Sequence, residues 1–103
     1  MAEQIWTVLF TGQAKKQKDQ LPENIRDNLA ALKLDLEWKG PEQWDWFHYG
    51  KLSRKKNQNF HHCHLNKGQP RYVAVWKVVD MEIRIMEIRY VGTHENANYR
   101  RIG

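Results

Sequence analysis

The stretch Asn59-Phe60-His61-His62-Cys63-His64-Leu65-Asn66-Lys67-Gly68-Gln69-Pro70-Arg71-Tyr72-Val73-Ala74-Val75-Trp76-Lys77-Val78-Val79 decides the architecture. It reads as two strands, Asn59 to Leu65 and Arg71 to Val79, joined by the turn-forming residues Asn66 to Pro70. A third strand, Ile83 to Val91, follows the turn Asp80-Met81-Glu82 and stops at Gly92. Strands in sequence order with short turns between them make an antiparallel meander.

Successive side chains of a strand point to opposite faces, so parity sorts this stretch into two sides. Cys63 and Leu65 share one side; Phe60, His62 and His64 share the other. In the second strand Tyr72, Ala74, Trp76 and Val78 are the more apolar set and belong with the core. That leaves Arg71, Val73, Val75 and Lys77 on the side of the two histidines. The third strand has no clean parity, because Ile83 and Ile85 alternate against Met86, Ile88 and Tyr90; its facing stays open. His94, in Gly92-Thr93-His94-Glu95, falls beside the start of the second strand near Arg71. The expected product is a shallow basic face carrying His62, His64, Arg71 and His94. Residues that titrate near neutral pH in such a cluster suit proton transfer.

Upstream, Gln4 to Phe10 is β-branched and aromatic and predicts a strand covered on both faces or lying inside a sheet. Gly12 to Gln20, rich in Lys and Gln, predicts a short exposed helix. Leu21-Pro22-Glu23 opens a second helix, with Pro in its first turn and Glu23 at its positive end. Leu21, Ile25, Leu29, Leu32 and Leu36 form one apolar stripe at helical spacing, a core face, and Gly40-Pro41 ends the helix. Trp44, Trp46, Phe47 and Tyr49 predict an aromatic loop packed over the edge of the core. Lys51, Arg54, Lys55 and Lys56 then make a charged run before the turn Asn57 to Asn59. The order is βααβββ: an α+β domain in which one mainly antiparallel sheet has two helices on one face.

With 103 residues, residues 1–103 are expected to form a single domain, and 41% hydrophobic content is sufficient for one core. The single Cys63 leaves no internal disulfide, which fits a reducing, cytoplasmic setting. No signal-peptide pattern opens the sequence, and no apolar run approaches the roughly 20 residues that cross a bilayer, so no membrane partner is expected. Residues 1–50 hold six Lys/Arg against eight Asp/Glu, a net of −2, while residues 51–103 hold eleven against four, a net of +7. The excess sits in the half with the histidine cluster and points to a bound polyanion, RNA or DNA. No basic amphipathic helix suggests a membrane surface instead.

Three near-adjacent histidines also admit a merely polar strand. Zinc is disfavoured because Cys63 has the wrong parity and no Cys-x-x-Cys or His-x-x-x-His spacing occurs, so no metal or other cofactor is expected. A nucleophilic cysteine is disfavoured too, since parity buries Cys63.

Leu21-Pro22, Gly40-Pro41, Tyr49-Gly50-Lys51-Leu52, His62-Cys63-His64-Leu65 with Lys67-Gly68, Tyr72-Val73-Ala74-Val75-Trp76 and Tyr90-Val91-Gly92-Thr93-His94-Glu95 together resemble the RelE/ParE superfamily of bacterial toxins. The likeness runs through nearly the whole chain in order and is greatest to the histidine-rich YafQ-type branch. It implies the βααβββ fold, a cognate antitoxin protein as partner, and endoribonuclease (mRNA interferase) activity on mRNA at the ribosome. Carried over by position, His64 and His94 match the branch's catalytic histidines, and His62 falls where RelE-like toxins keep a basic residue. Tyr99 lies about one residue away from a C-terminal aromatic that these toxins use. The catalytic arginine of RelE aligns near Val73, whereas Arg71 shares only its face. The branch's Asp-Trp pair is replaced by the longer, more basic turn Asn66 to Pro70.

The resemblance leaves three functions open: mRNA interferase, ParE-like gyrase inhibitor without nuclease chemistry, and inactive antitoxin-binding homologue. Under the first, His64 and His94 share the base and acid roles, and His62 and Arg71 stabilise the phosphate. Lys51, Arg54, Lys55, Lys56, Lys67 and Arg100 contact RNA or ribosomal RNA, and Phe60 or Tyr99 stacks on a base.

Overall fold

The computed structural model describes residues 5–51 and 59–97. The strand residue Gln4 and the expected contact residues Arg54, Lys55, Lys56, Tyr99 and Arg100 lie outside the described residues. The elements are β1 (Thr7–Phe10), α1 (Gly12–Asp19), α2 (Glu23–Lys39), β2 (Gly50–Lys51), β3 (Phe60–His64), β4 (Tyr72–Asp80) and β5 (Ile85–Thr93). They build one five-stranded sheet in the order β1-β5-β4-β3-β2, with both helices on one face. This is the α+β arrangement expected, with one addition. The two-residue β2 pairs with β3 at the far edge, where a charged loop was expected to begin.

The helical stripe is the main core. Leu21, Ile25, Leu29, Leu32 and Leu36 are all buried, against Cys63, Leu65, Ala74, Trp76, Val78, Met86 and Ile88 of the sheet. Each such Leu or Ile contributes about 1.5–3 kcal/mol relative to an exposed one. α2 ends as its sequence dictates: Gly40 takes φ 92 and donates its N–H to the Leu36 carbonyl. Trp6 leaves no space for a side chain there, its Nε1 lying 3.0 Å from where a Cβ would sit. The chain ahead of β1 is tied to the same helix end, with Ile5 and Trp6 both donating to the Glu37 carbonyl.

β1 departs from expectation. It is an edge strand, parallel to β5, and not an interior one. Trp6 and Val8 reach the core, but Ile5 and Leu9 on the other parity are each 46% exposed, because among the described residues no layer covers that face. The two helices return the chain to the opposite edge, so the meander walks back and meets β1 in parallel.

A bulge explains the unreadable parity of β5. Val75 faces Tyr90 while the next residue, Trp76, faces Ile88, so Arg89 is an extra residue in the ladder. Met86, Ile88 and Val91 therefore point to the helices, and Tyr90 turns to the other face. There it joins Phe60, Val73 and Val75 in a second, four-residue buried cluster.

Candidate active site

The histidine-bearing side of the sheet is more enclosed than a shallow open face. His62 and His64 alternate with the core residues Cys63 and Leu65 as parity requires, opposite Val75 and Val73 of β4. Phe60 on the same side is not beside them in solvent. It is 1% exposed, packed into the second cluster under Lys77 and Arg89, whose cationic groups lie 5.5 and 5.8 Å from its ring centroid. Four apolar side chains bury one another there, so Phe60 is a floor residue and has no free ring face for a base.

His64 is only 7% exposed because two other imidazoles cover it. His94, one residue past β5, meets it edge-on at 5.4 Å between ring centroids. Its position is fixed by the end of the β4–β5 ladder, where its N–H donates to the Arg71 carbonyl at 2.7 Å. The second neighbour is His48, a residue the sequence reading did not single out, whose ring lies 4.4 Å from His64.

The local backbone accounts for His48. Gly50 pairs with His62, but the His64 N–H donates to the Phe47 carbonyl at 2.7 Å. Continuing that register places His48 opposite His64, and a turn over Phe47 and His48 is closed by the Tyr49 N–H, which donates to the Trp46 carbonyl at 3.3 Å. The turn puts His48, its third residue, at φ 51, a left-handed conformation uncommon for a residue with a side chain but adopted by His more often than by most. A histidine two residues ahead of a two-residue strand carries little signal by itself. Only the pairing of Gly50 with His62 shows which histidine it meets. At Gly50 a Cβ would sit 3.3 Å from His62 Nε2, so the small residue lets the edge close over that ring.

The aromatic loop is held from the helix side. Gln43, buried, donates from Nε2 to the carbonyls of Asp35 and Gly40, and Trp46 Nε1 donates to Asp35 Oδ2. Trp76 Nε1 reaches the Pro41 carbonyl. Tyr49 and His61 share a 2.6 Å hydrogen bond, and both rings stack on Trp76. Burial drives His61 down to about 4, with the Lys51 charge adding to it, and lifts the Tyr49 phenol to about 12. His61 is therefore a neutral structural residue.

Electrostatics favour a neutral His64. Burial lowers its pKa first, and the charges of His48, His94, Arg71 and His62 lower it further. His62 is lowered as well, by burial and then by His94 and His48. Cys63 lies in the helix-side core with its thiol raised to about 12 by burial, far from a reactive thiolate. Among the described residues no group of three or more His, Cys, Asp or Glu is arranged to hold a metal ion.

Of the site residues expected from sequence, the structure gathers His62, His64, His94 and Arg71. It does not bring Lys51 to them: Lys51 pairs with His61, shares its helix-side parity, and is engaged by Glu42 at 2.9 Å. Lys67 reaches the rim through the Phe47 ring, 4.6 Å from its Nζ.

No family model and no curated protein sequence matches the chain. Solved structures do. The YoeB dimer from Staphylococcus aureus matches with TM-score 0.67 at 15% identity, over 87% of this chain and 98% of that one. A mutant of the E. coli toxin RelE in the free state gives 0.69 at 18%, over 90% and 87%. The archaeal RelE–RelB complex from Pyrococcus horikoshii gives 0.65 at 17%, over 90% and 99%. At these identities the likeness establishes the fold, which is that of RelE-like toxins.

Proposed function

We propose that this chain is the toxin of a type II toxin–antitoxin module, an mRNA interferase that cuts mRNA on the ribosome. The observation that carries the reading is His64, flanked by His48 and His94 beside Arg71, on the helix-free side of a RelE-like sheet.

That set supplies what RNA cleavage through the 2′-OH requires. His64, held neutral, takes the 2′-OH proton as O2′ attacks the phosphorus. The P–O5′ bond breaks as a protonated His94 gives its proton to O5′. The products are a 2′,3′-cyclic phosphate and a free 5′-OH, with atoms and charge balanced by the two imidazoles. Arg71 and a second imidazole, His62 or His48, face the charge on the phosphorane, where a guanidinium can bind two oxygens at once. The base and acid roles of His64 and His94 are interchangeable on geometry. Arg54, Lys55, Lys56, Lys67 and Arg100 contribute salt-sensitive phosphate contacts, and Tyr99 a stacking contact. The protein works in the cytoplasm. Among the described residues no helix is long and apolar enough to cross a membrane.

Solved relatives include a RelE–RelB complex and the toxin–antitoxin complex RelBE2 from Mycobacterium tuberculosis. By analogy an antitoxin neutralises this chain. A disordered acidic segment that folds on contact suits a half-chain with net charge near +7.

The test is purified protein added to a translation extract. Arrested synthesis with cuts in the A-site codon supports the reading. Intact mRNA with inhibited gyrase supports a ParE-like toxin, and inertness in both assays an inactive homologue. Co-expression with a small acidic protein encoded beside the gene is expected to restore growth.

A further inference from the structure

Single-stranded RNA sites combine cations for the backbone with an aromatic face for a base. Phe60 is buried, and Trp44, 70% exposed, packs edge-on against Tyr49, whose other partners lie on the helix side. Phe47 meets both requirements beside the histidine cluster, whereas the other ring with a lysine over it and partial exposure, Phe10, packs against the helix-side core. Phe47 is 39% exposed, its carbonyl is bonded to His64, and the next residue is His48. The turn that brings His48 to His64 also leaves the Phe47 ring on the rim of the cluster. Lys67, from the β3–β4 turn, places its ammonium 4.6 Å from that ring. The turn itself is braced: Asn66 donates to the Pro70 carbonyl and accepts from the Tyr72 N–H.

An exposed phenylalanine gains little from one surface cation, about 0.5–1 kcal/mol. What the pair does offer is a flat apolar face and a mobile positive charge within one side chain of the reacting groups. We propose that Phe47 is the base-stacking platform of this site and that Lys67 pairs with the phosphate of the same nucleotide. Together they grip the RNA residue next to the bond that is cut. In the free protein Lys67 rests on the ring; when a base arrives, the ammonium leaves the ring for the phosphate. A stacking face without hydrogen-bonding groups favours purines over pyrimidines by overlap area and makes no finer distinction. The inference rests on the ribonuclease reading above.

The experiment uses ribosomes programmed with synthetic mRNAs, each carrying an abasic residue at one position of the A-site codon. Single-turnover cleavage is followed against protein concentration. Phe47→Ala is expected to raise the half-saturating concentration roughly 5- to 150-fold, with the maximal rate within a few-fold of wild type. Phe47→Trp is expected to restore it, and Phe47→Leu, which keeps apolar bulk without a π-face, to behave like alanine. At one codon position the abasic residue is expected to weaken wild type by the same factor and to leave Phe47→Ala unaffected. Lys67→Ala is expected to reduce the salt dependence of the half-saturating concentration by about one charge.

A Leu variant equal to wild type would reduce Phe47 to a packing residue. Abasic and Phe47→Ala effects that add independently at every position would likewise overturn the inference while leaving the ribonuclease reading intact. A wild-type protein that cuts none of these mRNAs overturns both.

Discussion

His64 works between two opposing demands. A base must be neutral to take a proton, and the phosphate it serves draws cations around it. Burial and the surrounding charges of His48, His94, Arg71 and His62 meet the first demand by lowering its pKa below the ordinary 6.5. The acidic limb of the pH–rate profile is therefore expected to have its midpoint below pH 6.5 if His64 is the base. Arg71→Gln removes one of the lowering charges and is expected to move that limb upward as well as slow the reaction. His64→Ala and His94→Ala are each expected to cut cleavage about 10²–10⁴-fold without impairing ribosome binding. The mutant that loses the acidic limb has lost the base, and the one that loses the alkaline limb has lost the acid. Lys55→Ala is expected to weaken binding and leave the maximal rate unchanged. Full activity in both histidine mutants would show that the chemistry lies elsewhere.

The end of β5 is the element on which the site depends, and Gly92 is its tight point. A Cβ there would lie 2.6 Å from the Tyr90 hydroxyl, which donates to the Thr93 carbonyl at 2.8 Å. Tyr90 is packed against Phe60, Val73 and Val75 and has little room to move. Gly92→Ala is expected to destabilise the fold by about 1–3 kcal/mol, as overpacking does, and to displace His94 two residues on. Tyr90→Phe removes the nearest clashing atom and is expected to recover part of that loss in denaturant titrations. An unchanged unfolding midpoint for Gly92→Ala would mean that the strand end yields freely and does not position His94. The same elements show what sequence can express. The stripe from Leu21 to Leu36 and the alternation from Phe60 to Leu65 are periodic, so the helix face and the sides of the histidines were legible in them. The Arg89 bulge resets the period in mid-strand, and the turn at Phe47–His48 creates a contact through strand pairing alone. Each hides its residues from any rule based on spacing. Phe60 misled for a related reason: parity gives the side of a sheet, not whether neighbours on that side bury the ring.

Across the whole molecule, burial disfavours the charged form of three histidines, and that couples stability to pH. His61, packed against Tyr49 and Trp76, is driven to about 4, and His62 and His64 are lowered as well, each chiefly by burial. In the unfolded chain all three return to ordinary values near 6.5. Between that value and the folded ones the unfolded state binds more protons, so the stability from neutral burial is fully present above about pH 6.5. It is lost as pH falls through the folded values. Denaturant titrations at pH 7.5 and 5 are expected to show a lower midpoint at pH 5 with an unchanged slope, the sign of reduced stability without a change in compactness. His61→Phe keeps a ring against Tyr49 and Trp76 but cannot take up the proton in either state. Whatever it costs at neutral pH through the lost Tyr49 bond, its midpoint is expected to fall less between the two pH values than that of wild type. An equal fall would place the pH sensitivity outside the His61 stack. Because this loss overlaps the acidic limb expected for catalysis, rates below pH 6 need a parallel measure of the folded fraction. A limb that persists after that correction belongs to His64, and one that vanishes belongs to the fold.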